Sequence, residues 1–216
     1  MRAVFFLVLP LLASGCFFPT PLLTPEPVPH EQTRVEVSMS GYGMMPLPFA
    51  NAQVRHGIAN GTEVNARAAW AVGTPAAAVG AGLTQRVTPA EAPIRASIHA
   101  SVSAFGAMSE VDTEGGYAFH PSVLVGTDRL YGGARLSVGS WSGNDQVFAG
   151  PFVGARYGSK DFVGVELGLI RAAPGSIFDD SEASWLLAPA VTFGLRPSRD
   201  QGGIPAPEQL AQAPAE

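Results

Sequence analysis

The sequence predicts an all-β fold, an antiparallel up-and-down β-barrel of about ten strands, with eight as the alternative count. Three observations predict it. Apolar residues alternate with small or polar ones from residue 33 to 196, and no helical period is sustained there. No connection in that stretch is long enough for a helical crossover, so sequential strands should pair antiparallel. Composition agrees: 25 Gly and 19 Pro in 216 residues, with only 14% charged, exclude a helical bundle, and 46% hydrophobic residues exclude disorder. A net charge of −5 gives no footprint for a nucleic-acid partner. The single Cys excludes an intramolecular disulfide and a thiolate metal cluster.

Taken in order, residues 1–15 are an address. Met1-Arg2 is a short basic start, and Ala3 to Leu12 is an apolar run broken by Pro10, too short to span a bilayer and typical of a secretory signal. Leu12-Ala13-Ser14-Gly15-Cys16 resembles the lipobox of bacterial lipoprotein precursors, which are cleaved before the Cys and lipidated on its sulfur. The resemblance implies a mature chain beginning at Cys16, held in lipid by two or three acyl chains such as palmitate, each buried methylene contributing ~0.8 kcal/mol. Phe17 follows where an Asp would signal retention in the inner membrane, which implies export to the outer membrane of a Gram-negative cell. Residues 16–32 then carry Pro19, Pro21, Pro25, Pro27 and Pro29, a density expected of an extended tether rather than a packed element. Residues 197–216 read as a flexible tail.

The barrel is expected over residues 33–196, with strands at 33–43, 52–59, 62–72, 76–88, 94–106, 117–127, 130–141, 147–158, 162–172 and 185–196. In the last of these, Trp185, Leu187, Pro189, Val191, Phe193 and Leu195 share one face, opposed by Leu186, Ala188, Ala190, Thr192, Gly194 and Arg196. Residues 162–169 set Val163, Val165, Leu167 and Leu169 against Phe162, Gly164, Glu166 and Gly168. The second face is too poor in charge to be an ordinary wet surface, but it suits the crowded inside of a narrow barrel whose aliphatic face meets lipid. About ten residues at ~3.3 Å, tilted by ~40°, rise roughly 25 Å, the height of a lipid-facing band. Asn60-Gly61 is a hairpin signal. Short connections at 60–61, 89–93, 128–129 and 159–161 alternate with generally longer ones at 44–51, 107–116 and 173–184, with 73–75 and 142–146 as short exceptions. By this pattern the body resembles the small outer-membrane β-barrels of Gram-negative bacteria. That resemblance implies both termini on the periplasmic side. Two features depart from it: Pro121, Pro151 and Pro189 fall within strands, where bulges are expected, and no aromatic residue ends the chain.

Alternation points seven arginines into the lumen: Arg55, Arg67, Arg86, Arg95, Arg135, Arg156 and Arg196. Glu166 is the clearest inward acid, with Glu36 a second candidate. A basic lumen that passes small anions is one reading. A charge network that fills a narrow interior is the other, and it suits a barrel of this size better. His120-Pro121-Ser122 and His99-Ala100-Ser101 each put His and Ser on one strand face, the spacing of a serine-hydrolase pair. They are similar to the His-x-Ser pair of outer-membrane lipid A deacylases, whose motif continues with Asn where Val123 and Val102 stand here. Four scattered His residues offer no metal-ligand spacing, and no glycine loop leads into a helix, so no metal or cofactor is expected. Trp70, Tyr117 and Trp185 near one end, and Tyr157 and Phe193 near the other, suit two interfacial belts. Arg171 ends an apolar face, placed to reach lipopolysaccharide phosphates.

The expected function is therefore a lipid-anchored outer-membrane barrel with a structural or surface role and no catalysis, its partners being membrane lipid and lipopolysaccharide. One alternative is a soluble periplasmic lipoprotein barrel holding an apolar ligand. The other is a lipid-modifying hydrolase working through His120 and Ser122.

Overall fold

A computed structural model describes residues 24–42, 45–73, 75–108, 113–127, 129–158, 161–172 and 185–195; the signal segment, Cys16, Arg196 and the tail lie outside them. Ten strands form one closed antiparallel barrel, each paired with its neighbours in sequence and the last with the first. They are β1 (Thr33–Tyr42), β2 (Met45–Ala59), β3 (Thr62–Ala71), β4 (Ala76–Arg86), β5 (Arg95–Met108), β6 (Thr113–Gly126), β7 (Leu130–Trp141), β8 (Asn144–Tyr157), β9 (Phe162–Ala172) and β10 (Leu186–Leu195). The count is ten rather than eight. Closure leaves no edge strand, because Val35 to Ser40 of β1 run opposite Leu195 to Ala190 of β10.

The expected loop at 44–51 is instead the first half of β2, which pairs from Tyr42↔Met45 onward across a register shift between Ser40 and Tyr42. Pro46 and Pro48 resemble turn residues, yet their fixed φ is also an extended-strand value, and the irregular pairing opposite accommodates their missing amides. The connection at 142–146 likewise shrinks to Ser142–Gly143, a two-residue turn with φ of 45° and 82° that closes Trp141 onto Asn144. With these corrections the expected contrast between a short-looped and a long-looped end fails. The end where β1 begins has connections at 60–61, 87–94, 127–129 and 158–161. The opposite end has 43–44, 72–75, 109–112, 142–143 and one long connection, 173–185. We call these the near end and the far end.

The in-strand prolines do not make bulges. Pairing of β6 with β7 lapses between Phe119↔Val138 and Ser122↔Arg135, and that of β8 with β9 between Ala149↔Arg171 and Phe152↔Gly168, and each resumes in the same register. Pro121 and Pro151 each omit a ladder donor without re-aiming the strand. Pro189 stays paired with Leu167.

The sides of the wall are inverted relative to a water-soluble barrel. Val37, Val54, Val79, Val102, Val123, Val153, Val165, Leu167 and Val191 all face outward and exposed. Glu36, Arg55, Glu63, Asn65, Arg67, His99, His120, Gln146, Glu166 and Thr192 are buried inside. Period two does this directly: adjacent residues take opposite sides, so one apolar and one polar series per strand yield an apolar exterior and a polar interior. At the rims, Trp70, Tyr117 and Trp185 stand exposed at the far end, and Tyr157 and Phe193 at the near end.

Candidate functional site

The residues that do not serve the wall gather at the near end of the lumen. Residues 24–32, expected as part of a free tether, instead enter the barrel there. Thr24, Pro25 and Val28 are buried, with Val28 only 2% exposed. The segment is pinned at several points. The Val28 amide donates to Glu63 Oε2 at 2.7 Å, and the Ser97 hydroxyl donates to the Pro25 carbonyl. The Glu31 amide donates to the Gly57 carbonyl at 2.9 Å, and the Gly57 amide to the Gln32 carbonyl at 3.0 Å. Proline suits an occluded mouth for a reason separate from stiffness. Pro25, Pro27 and Pro29 bring no amide hydrogen that would need a partner, so burying this backbone leaves few donors to satisfy. Gly57 is the wall position that admits the segment: a Cβ there would lie 2.1 Å from the Pro29 oxygen and 2.4 Å from that of Val28.

Beneath the plug lies a buried ion triad. Arg55, 0% exposed, donates from Nε and Nη2 to the two oxygens of Glu63 at 2.8 and 2.9 Å, and from Nη1 to Glu36 at 3.0 Å. Bidentate geometry and two carboxylates satisfy a guanidinium whose burial alone would be costly. Glu63 also accepts from the Thr84 hydroxyl at 3.1 Å. Since that hydroxyl gives its one hydrogen to a carboxylate, it accepts from His99 Nδ1 at 3.0 Å, which fixes the His99 tautomer. On the plug side, Glu26 takes Arg86 Nη1 at 2.9 Å on one oxygen and faces Arg95 Nε at 3.2 Å with the other.

The middle and far layers are also filled. Arg135 makes a two-bond pair with Glu166 and lies with its guanidinium carbon 3.9 Å from the centre of the Phe152 ring. Phe105 stacks on Trp141 at 4.9 Å, beside Phe148 and Ala118, and the Trp141 indole donates to Glu114 at 2.8 Å. Large rings fit so narrow a lumen because they lie over glycines of the neighbouring strands. A Cβ on Gly194 would fall 1.9 Å from the Phe162 ring.

Six of the seven arginines read as inward, Arg55, Arg67, Arg86, Arg95, Arg135 and Arg156, line the lumen or its mouth, as does Glu166; Arg196 and Cys16 lie outside the described residues. Sequence reading missed Glu63, Arg34 and the plug. Glu63 shares its parity with Asn65 and Arg67, and Arg34 with Glu36, so alternation carried the signal for both. The hydrolase pair does not assemble. His120 points inward, but its ring nitrogens meet Ser103 and Ser137 on the flanking strands, each at 2.8 Å, rather than Ser122. Residues two apart on a strand are separated by a full pleat repeat of ~6.6 Å, whereas cross-strand neighbours come closer. His99 turns to Thr84 rather than Ser101. His56, outward on an apolar face, meets the Thr33 hydroxyl across the β1–β2 pair at 2.9 Å, at the near rim.

No protein-family model and no curated protein sequence matches the chain. Among solved structures, the N-terminal β-barrel domain of OprF from Pseudomonas aeruginosa is similar over 77% of this chain and 98% of its own, at 8% identity and a TM-score of 0.39. The outer membrane protein Omp33 of Acinetobacter baumannii is similar over 77% of this chain and 98% of its own, at 14% identity and a TM-score of 0.34. Likeness this distant leaves the placement of the chain to its own surface.

Proposed function

We propose that this chain is a lipid-anchored β-barrel of the Gram-negative outer membrane, with a structural or surface role, a lumen closed by its own N-terminal segment, and no catalysis. The observation that carries the reading is the inverted wall. Aliphatic side chains cover the outside of all ten strands, a surface far beyond the ~300–600 Å² of the largest apolar patch on an ordinary soluble monomer. In lipid the same surface is solvated, and the closed backbone ladder leaves no unpaired edge facing hydrocarbon. The soluble alternative needs the aliphatic face as its core, whereas the described core holds Arg55, Glu36, Glu63 and Glu166. Ion pairs and the plug favour a filled barrel over an open pore. His120, held between two serines of other strands, favours a packing role over hydrolysis.

Lipid anchoring rests on Cys16 and fits the plug's position. Thr24 lies eight residues after Cys16, and fully extended those eight steps span about 26–29 Å, enough to lead from the mouth over the rim to the adjacent leaflet. The test uses the full chain and a Cys16→Ser variant behind an ordinary cleavable signal. The wild type is expected to incorporate labelled palmitate and the variant none. Both should stay in the outer-membrane fraction after a carbonate wash and run faster in SDS before heating than after. Release of the variant by carbonate would show that the acyl chains alone held the protein, and the barrel would then be periplasmic.

A further inference from the structure

Inner-face glycines of a narrow barrel usually admit a neighbour that a side chain would exclude, and most here do so. A Cβ on Gly80, Gly82, Gly133, Gly139, Gly150 or Gly154 would lie within 2.7 Å of another atom. The two inner glycines of β9 differ. A Cβ on Gly164 or Gly168 would come no closer than 3.6 Å to the groups it faces, an ordinary contact, so neither glycine is there to let a neighbour approach. Glu166 stands between them, turned to Arg135. This side of the lumen holds a column of cavities. The near one beside the plug, about 580 Å³, and a middle one of about 10 Å³ share Arg156 in their walls. Gly164 of β9 and Thr192 of β10 line the middle one; Glu166 and Ala190, the next inner residues on those strands, line a far cavity of about 40 Å³. The far cavity reaches Ser40 of β1 and Ile170 of β9, each two residues from the far end of its strand. By contrast, β2 to β5 fill their side with Arg55, Glu63, Thr84 and His99, bonded one to the next.

We infer that the barrel carries a single-file passage for water along the inner faces of β8, β9 and β10, too narrow for solutes. A buried water needs a polar cavity of at least ~10–15 Å³. The middle cavity is at that minimum, with Thr24, Glu36 and Thr192 in its wall, and the far one, lined by Ser40, Ser137 and Glu166, has room for about three waters. An ion would have to enter stripped of its hydration shell. The acids it would meet are engaged, Glu36 by Arg55 and Glu166 by Arg135. The plug closes the mouth to solutes, while the cavity beside it leaves water a way in. The passage rests on the membrane placement proposed above.

The test is osmotic. Full-length protein is reconstituted in vesicles of saturated phosphatidylcholine and cholesterol, whose own water permeability is low, and their shrinkage in sucrose is followed by light scattering. Wild-type vesicles should shrink at least twofold faster than protein-free ones and should not re-swell, because sucrose does not follow. Gly164→Ala puts a methyl group into the narrowest cavity at ordinary contact distance, and Gly168→Val narrows the far one. Each should return the rate to that of protein-free vesicles. Val165→Leu, on the outer face of the same strand, should keep the wild-type rate. Heat-dependent mobility in SDS checks that every barrel is folded, and a carbonate wash of vesicles made with Cys16→Ser protein scores insertion without an acyl anchor. Loss of that protein to the wash overturns the membrane placement and the passage with it. A folded, inserted barrel that leaves shrinkage at the protein-free rate overturns the passage alone. So do re-swelling in sucrose, or equal rates for wild type, Gly164→Ala and Gly168→Val.

Discussion

At the scale of single residues, Glu63 is the junction of the near end: it holds Arg55 by two bonds, Thr84 by one, and the plug through the Val28 amide. Removing one partner of a buried ion pair costs ~3–5 kcal/mol, because the other charge stays buried. Glu63→Gln should therefore lower the temperature at which the compact SDS band converts to the unfolded one. Glu36→Gln should lower it less, since Arg55 keeps both bonds to Glu63. Equal effects would contradict this division. His120→Ala should cost ~1–3 kcal/mol by taking the buried imidazole partner from both Ser103 and Ser137, and leave lipopolysaccharide acylation unchanged. Altered acylation in a folded His120→Ala barrel would restore the hydrolase. Much of this layer was legible in the sequence, since parity alone puts Arg55, Arg67, Arg135 and Glu166 inside. Which partner each residue takes was not legible, because pairing depends on stagger between strands, and a stagger error of two residues preserves every face.

Among the elements, the N-terminal segment departs furthest from its sequence expectation. Five prolines in seventeen residues resemble a free spacer, and nothing local reveals that Gly57, Glu63 and Ser97 supply a seat far along the chain. Gly57 tests the seating. A Val28→Cys probe in a Cys16→Ser background should resist a water-soluble maleimide, and adding Gly57→Val should make it react, because the new Cβ meets the Pro29 carbonyl. Equal reactivity in both would mean the segment does not sit in the mouth. The strands themselves were more legible. Nine of ten follow the alternation, and β2 was shortened because Pro46 and Pro48 carry turn chemistry that a bulged, irregular partner absorbs. The prolines of β6 and β8 make a further prediction: amides beside Pro121 and Pro151 should exchange with deuterium faster than those of the uninterrupted β3–β4 ladder. Uniform protection would contradict a lapsed ladder.

At the scale of the whole molecule, ten strands close a wall whose two faces have exchanged their usual solvents. Alternation and a charge-poor second face predicted this inversion. The expected loop asymmetry, by contrast, failed once β2 took up 44–51 and β5 and β6 took up all but 109–112 of the expected 107–116 connection. The most direct test puts nitroxide labels, one at a time, at Val102, Val123, Val153 and Val165. All four point outward, each at least three residues from a strand end, with Val102 58% exposed, and none contributes to the lumen. In outer-membrane vesicles each label should collide often with oxygen, which partitions into hydrocarbon, and rarely with a water-soluble nickel chelate. Frequent collision with the chelate at all four positions would place the aliphatic wall in water and contradict the account.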